Sequence, residues 1–303
     1  MLMILELDNI NKSFTDKQVL SGISFKAESG KALGLLGRNG AGKTTTIRIL
    51  MNVFPADDGS INIDSKTISY DDVQFGYLPE ERGLYSKKKV IQQLTYFAEL
   101  KGMSKKDAID SVDYWLKRLG MEEYRNKKLE TLSKGNQQKI QLITAVSHNP
   151  DIIILDEPFS GIDPVNAMLL KDVVKEQIAK GKIVLFSSHQ MNYIEEFCDD
   201  IVIIHKGKIV LQGNLNLIKR SYPRNKLIIR SQNVGAILTH YKENCFENED
   251  GSLLIQLKDE EDKNNEMKYI VNNFDIDEIK VFEPTLNDIF VEYTEDKTHE
   301  VLL

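Results

Sequence analysis

The stretch Gly37-Arg38-Asn39-Gly40-Ala41-Gly42-Lys43-Thr44-Thr45 decides the fold. The apolar run Ala32-Leu33-Gly34-Leu35-Leu36 precedes it, and it opens into Thr46-Ile47-Arg48-Ile49-Leu50. That order reads as strand, glycine-rich loop and helix. The spacing G-x-x-x-x-G-K-T is that of the phosphate-binding P-loop. A triphosphate needs many donors close together and little steric bulk. Gly37, Gly40 and Gly42 carry no Cβ, so the loop is expected to curl with positive φ and turn its N–H groups inward. Asn39, Ala41 and Thr45 join these glycines as cofactor-binding candidates. The helix starting near Lys43 adds free N–H groups and the positive end of its dipole. Lys43 supplies a point charge for the β- and γ-phosphates, and Thr44 a hydroxyl for Mg²⁺. The expected ligand is therefore a nucleoside triphosphate with Mg²⁺, most simply ATP; the plainer alternative is a glycine turn that happens to precede a lysine.

The bulk properties are those of a soluble globular protein. The chain has 303 residues, 28% charged and 41% hydrophobic, with a net charge of −7. That size accommodates a large domain and a small one. An acidic balance argues against nucleic acid as a partner. No apolar run approaches the ~20 residues of a membrane span. The opening Met1-Leu2-Met3-Ile4-Leu5-Glu6-Leu7-Asp8 turns acidic too early for a signal peptide. Cys198 and Cys245 have no metal-ligand spacing, so a reduced, cytoplasmic chain is expected.

Working outward from the P-loop, strands are expected at Ile4–Asn9 and Leu20–Lys26, then short strands around Ser60–Asp64 and Val73–Tyr77. Helices follow at Val90–Lys101, Lys105–Leu119 and from about Ser133 to Ser147, where Asn149-Pro150 stops the last one. The run Ile152-Ile153-Ile154-Leu155 reads as a strand buried on both faces. A helix over Pro164–Lys180, a strand over Ile183–Ser187, a helix over Met191–Cys198 and a hairpin turning at Lys206-Gly207 complete an α/β alternation around a mostly parallel core sheet. The helices of residues 84–147 interrupt it and form a lateral helical subdomain. After Ser221-Tyr222-Pro223 the texture changes, giving domains of 1–220 and 221–303. The smaller reads as strand Lys226–Ser231, helix Val234–Tyr241, strands near Asn244–Glu247 and Ser252–Leu257, helix Asp262–Asn273, strand Glu278–Glu283 and helix Thr285–Tyr293. The first six of these are in ferredoxin-like β-α-β-β-α-β order. Residues 295–303 are expected to fray.

Hydrolysis needs a metal anchor and a base that aims water at the γ-phosphate. Asp156, ending the Ile152 strand, suits the Mg²⁺ shell. Glu157 suits the base, a role worth ~10²–10⁴-fold. Without the P-loop upstream, both would read as an ordinary acidic loop. His189, just past the next strand, lies where open α/β sheets collect ligand groups and could donate to the γ-phosphate; it could equally be structural. His148, His205, His240 and His299 are read as structural or surface groups.

With these residues in place, the chain resembles the ATP-binding subunit of an ABC transporter over about residues 1–218. Gly37–Thr45 resembles the Walker A motif, Ile152–Glu157 the Walker B motif with its glutamate, and Ser160-Gly161-Ile162-Asp163 the D-loop. His189 matches the switch histidine, and Leu132-Ser133-Lys134-Gly135-Asn136-Gln137-Gln138 resembles the signature motif. The resemblance implies a head-to-tail dimer, homomeric or heteromeric, with Ser133 and Gly135 of one copy facing the nucleotide held by Lys43 of the other. It also implies a separate transmembrane permease subunit and a position on the inner face of the cell membrane. Phe14 lies where the family stacks an aromatic on adenine, although a core phenylalanine would look the same.

Two departures stand out. Lys134 and Asn136 replace the Gly and Gln of Leu-Ser-Gly-Gly-Gln. Glu80, in Gly76-Tyr77-Leu78-Pro79-Glu80-Glu81-Arg82-Gly83-Leu84-Tyr85, stands at the Q-loop position and could approach Mg²⁺ through water. These segments, with Glu283-Pro284-Thr285-Leu286-Asn287-Asp288-Ile289-Phe290, resemble the sodium-extrusion and drug- or peptide-resistance exporters, which carry a small C-terminal domain. The implied activity is ATP hydrolysis driving export. The alternatives are a non-transport ABC ATPase acting on ribosomes or DNA, and a C-terminal domain that senses a ligand or ion instead of serving dimerisation or docking. Lys87-Lys88-Lys89, Lys127-Lys128 and Lys258-Asp259-Glu260-Glu261-Asp262-Lys263 read as solvated faces.

Overall fold

A computed structural model describes residues 2–81, 83–159 and 162–295. Arg82, Ser160, Gly161, His299 and residues 296–303 lie outside the described residues, and with them half of the D-loop. The larger part of the chain starts with β1 (Ile4–Phe14), β2 (Lys17–Glu28), β3 (Ala32–Leu36) and α1 (Lys43–Leu50). It continues through β4 (Asp58–Ile63), β5 (Lys66–Thr67) and β6 (Phe75–Leu78) to α2 (Val90–Leu100), α3 (Lys105–Arg118) and α4 (Lys134–Val146). Then come β7 (Ile152–Asp156), α5 (Pro164–Ala179), β8 (Ile183–Ser187), α6 (Met191–Phe197), β9 (Asp200–His205), β10 (Lys208–Asn214) and α7 (Leu215–Ser221).

These strands form two sheets where the sequence suggested one. Five parallel strands, in the order β9-β3-β8-β7-β6, carry β10 antiparallel on one edge. A separate antiparallel sheet has the order β2-β1-β4-β5. The alternation that reveals βαβ units carries no signal for which sheet the opening hairpin joins. The hairpin strands are also longer than expected, because β1 continues to Phe14 past Asn9, whose φ of 51° marks a break in register. An apolar core joins the two sheets and α1, through Leu5, Leu7, Ile23, Phe25, Leu35, Ile47, Ile154 and Leu185. Strands β3, β7 and β8 are buried at every residue, as expected of a parallel sheet covered on both faces. Lys206 and Gly207, at φ 49° and 77°, turn β9 into β10 with the doubly positive geometry favoured by tight hairpins.

Helix α4 lies close against β6. A Cβ on Gly76 would sit 1.9 Å from the Ala145 carbonyl oxygen, so only glycine permits this approach. Ser133 caps the helix by accepting from the Asn136 amide at 3.3 Å.

The smaller part has β11 (Lys226–Arg230), α8 (Val234–Tyr241), β12 (Cys245–Glu247), β13 (Leu253–Gln256), α9 (Lys263–Asn273), β14 (Glu278–Val281) and α10 (Leu286–Thr294). Its sheet order is β12-β13-β11-β14, with every neighbouring pair antiparallel. Strand β13 therefore lies between the two parallel strands of a split βαβ unit, the ferredoxin-like arrangement. Its own core contains Leu227, Ile229, Ile237, Leu253, Ile255 and Ile270. The described residues pack as two units: those up to Leu215 together with Phe290–Glu295, which include the second half of α10, and Asn216–Ile289. The boundary thus falls within α7, after its first residue, in a helix the sequence did not announce.

Candidate nucleotide site

The parallel register brings the candidate residues together. Leu35 of β3 pairs with Ser187 of β8, Ser187 with Asp156 of β7, and Leu155 of β7 with Leu78 of β6. Four adjacent strands therefore end side by side. The P-loop leaves β3, Ser188-His189 leaves β8, Glu157 leaves β7, and Pro79-Glu80 leaves β6. This is the carboxyl edge where open α/β sheets bind ligands.

The P-loop is a formed turn. Gly40 and Gly42 have φ of 78° and 118°, and Gly42 caps α1. Gly37 differs from expectation, because its φ is not positive. There glycine is required by space, since a Cβ would lie 2.6 Å from the Ile204 carbonyl oxygen. The Ala41 amide donates to the Arg38 carbonyl at 3.0 Å, and the Ala41 carbonyl accepts from the Gly207 amide at 3.0 Å. The Gly207 carbonyl in turn accepts from the Ser21 amide at 2.8 Å. Lys43 is buried, with Nζ donating to the Gly37 carbonyl at 2.7 Å. Asn39 and Thr44 are exposed, and Thr45 is half-buried.

Electrostatics tie Lys43 to three carboxylates. Burial holds its ammonium below the ordinary lysine range, while Glu157, Asp156 and Glu80 oppose that shift. Asp156 is 4% exposed, and burial pushes its carboxyl up. The nearby Ser187 hydroxyl and the charge of Lys43 counter that rise, while Glu80 and Glu157 add to it. Tyr77, which sequence reading passed over, belongs here too. Burial first, then the Asp156 carboxylate, raises its hydroxyl to about 12.

Glu157 is 6% exposed and has a φ of 48°, a strained conformation for a non-glycine residue of the kind that gathers at functional sites. Its Oε2 accepts from Ser188 Oγ at 3.0 Å, and its Oε1 from the His189 amide at 2.8 Å. His189 Nδ1 also meets Oε1 at 2.7 Å. His189 is therefore paired with Glu157, on a side chain 62% exposed. Ser188 is a second residue missed from the sequence, where nothing separates it from the preceding serine.

Outside this edge, Phe14 is 45% exposed and meets Phe54 edge-to-face at 5.5 Å, with Lys12 Nζ 5.6 Å from its ring centre. The core reading of Phe14 is thereby removed. Ser133 is exposed at the start of α4. A Cβ on Gly135 would come within 2.8 Å of Asn166 Nδ2 and 3.3 Å of Asp163 Oδ2, so this glycine has a packing reason inside its own chain. Asp163 caps α5, accepting from the Asn166 amide at 3.0 Å. His148 is buried against the Phe75 carbonyl, as a structural group.

The donor set fits a hard divalent cation beside phosphate. The Thr44 hydroxyl and the Asp156 and Glu80 carboxylates are oxygen donors, and three carboxylates outnumber the single ammonium among them. Among the described residues no group of three or more His, Cys, Asp or Glu could hold a metal alone. Mg²⁺ ordinarily takes one or two carboxylates and completes its shell with phosphate and water.

A family model described as ABC transporter matches residues 20–160, and one described as the C-terminal domain of DrrA1-3-like ATP-binding proteins matches residues 213–294. The ABC transporter ATP-binding protein YhaQ of Bacillus subtilis (strain 168) is 42% identical over 292 residues, covering 95% of this chain and 98% of that one. This chain belongs to the ABC transporter ATP-binding proteins. The linearmycin resistance ATP-binding protein LnrL of the same organism is 33% identical, over 69% of each chain. A solved ATP-binding subunit of an ABC transporter superposes with a TM-score of 0.66 at 31% identity, covering 72% of this chain and 92% of that one. Among the described residues no helix is long and apolar enough to cross a membrane.

Proposed function

We propose that this chain is the ATP-hydrolysing subunit of an exporter, working on the inner face of the membrane through a separate permease subunit. The observation that carries the reading is Glu157. A buried carboxylate is held by Ser188 and His189 beside Asp156, and its charge is felt by the P-loop lysine. Lys43 and the loop amides of Gly37 to Thr45 hold the phosphates. Thr44 and Asp156 would hold the Mg²⁺ shell, and Glu80 would reach it through water. When bound, Mg²⁺ neutralises charge on the phosphates. Glu157 takes the proton of the attacking water, and His189 keeps its carboxylate aimed. Phe14 stacks on adenine. Ser133 and Gly135 serve the nucleotide of a second cassette, a copy of this chain or a homologue, so ATP closes a head-to-tail dimer.

Matches to transporter subunits over most of the chain support this reading over action on ribosomes or DNA. The resistance relative supports export. The C-terminal unit is assigned to dimerisation or docking in preference to sensing. Glu157→Gln should cut ATP turnover by ~10²–10⁴-fold. It should leave ATP binding intact and yield an ATP-dependent dimer in size-exclusion chromatography. Turnover equal to wild type would remove Glu157 from the role.

A further inference from the structure

Two glutamine amides are buried on one face of α4, three residues apart. Gln141 is 2% exposed, in a helix whose neighbouring Ile140, Leu142 and Ile143 are also buried. Its Nε2 donates to the Pro79 carbonyl at 3.1 Å and to the Glu81 carbonyl at 3.1 Å. Both hydrogens of one amide thus hold the residues on either side of Glu80. Gln138 Nε2 donates to the Pro158 carbonyl at 3.3 Å, one residue past Glu157. Gln141 Oε1 is buried with no partner among the described residues. A buried orphan acceptor is costly, and the two donated bonds offset that cost. What distinguishes glutamine here is the direction of its two donors, both onto the residues flanking Glu80.

We propose that Gln141 is a positioning residue for Glu80, fixing that carboxylate at the Lys43–Asp156 edge so that it acts on nucleotide-bound Mg²⁺. The proposal rests on the Mg²⁺-ATP reading above. Glu80 itself is exposed, on a loop that follows β6, and has no regular structure to hold it. Its charge nevertheless reaches both Lys43 and Asp156. The two hydrogen bonds from Gln141 supply the missing constraint. They also tie Glu80 to the helix whose first turn carries Ser133 and Gly135. Gln138 likewise holds the Glu157 loop to the same helix, through the Pro158 carbonyl.

The test compares full-length wild type, Gln141→Met, Glu80→Ala and the double variant. ATP affinity is measured by titration calorimetry in Mg²⁺ and again in EDTA, alongside thermal melting. Loss of a residue that orients a metal's outer shell typically costs about 10–100-fold in metal affinity. Gln141→Met should therefore reduce the gain in ATP affinity given by Mg²⁺ by about 10-fold or more, leaving affinity in EDTA near wild type, while the melting curve, lowered by the two lost bonds, still shows a folded chain at the titration temperature. The double variant should match Glu80→Ala. Equal losses in Mg²⁺ and EDTA, additive losses in the double variant, or a Glu80→Ala protein with wild-type Mg²⁺ dependence would each overturn the proposal. Should the Met variant not fold, Gln141→Asn keeps the amide but shortens its reach and must give the same pattern. A wild type that binds no ATP would sink the proposed function itself. A wild type that binds ATP, with Gln141→Met indistinguishable from it, would sink only this assignment.

Discussion

Asp156, proposed for the Mg²⁺ shell, sits where its negative charge costs stability. Desolvation raises its carboxyl above the ordinary value, so the ionised form is disfavoured in the folded chain. The penalty is absent below the ordinary carboxyl value, grows as pH rises through the raised one, and is complete above it. Asp156→Asn keeps the shape and removes the charge. Without nucleotide or metal it should melt a few degrees above wild type at pH 7, with the gap closing toward pH 4. Differential scanning fluorimetry at the two pH values reads the difference, and an equal or lower melting point at pH 7 would refute it. Such candidates were legible because the chemistry proposed for them demands their types: Lys43, Asp156 and Glu157 follow from a phosphate and its hydrolysis, and the structure brings all three to one edge. Ser188, Tyr77 and Gln141 were not, since serine, tyrosine and glutamine carry no such demand, and their roles depend on strands and helices distant in sequence.

At the scale of elements, the sequence was informative wherever burial was one-sided or complete. The all-apolar Ile152–Leu155 announced β7, and the Ser133 cap with the Asn149-Pro150 stop bracketed α4. It was weaker for short or edge pieces. Strand β5 has two exposed residues and no apolar pattern, and β6 starts two residues later than expected. Assignment of the opening hairpin to its own antiparallel sheet depends on pairing with β4, which local pattern cannot express. The contact of α4 with β6 is the element-level feature most open to test. Gly76→Ala forces a methyl into the Ala145 carbonyl, so α4 must retreat. The expected loss is about 1–3 kcal/mol in urea unfolding, the usual cost of overpacking. ATP turnover should fall as well, because Gln138 and Gln141 move with the helix. A variant as stable as wild type would show that the contact is not as tight as described.

For the whole molecule, the division after Leu215 and the separate apolar core of Asn216–Ile289 make the smaller unit a candidate for independent folding. At that size one core rarely supplies more than ~3–5 kcal/mol. A fragment of residues 216–289 should unfold cooperatively by circular dichroism, with a stability no greater than that. A fragment without a transition would show that the unit folds only within the full chain. The larger unit carries the nucleotide edge, and there the chain of bonds from Ser21 through Gly207 to Ala41 has a thermodynamic meaning. The P-loop's shape is fixed by the β9–β10 turn and by β2 before any ligand arrives. A triphosphate entering it would order little backbone, so little of the binding free energy is spent on conformational entropy. ATP then meets a rigid receptor, and the free energy of its capture remains available for moving the parts that are not yet fixed.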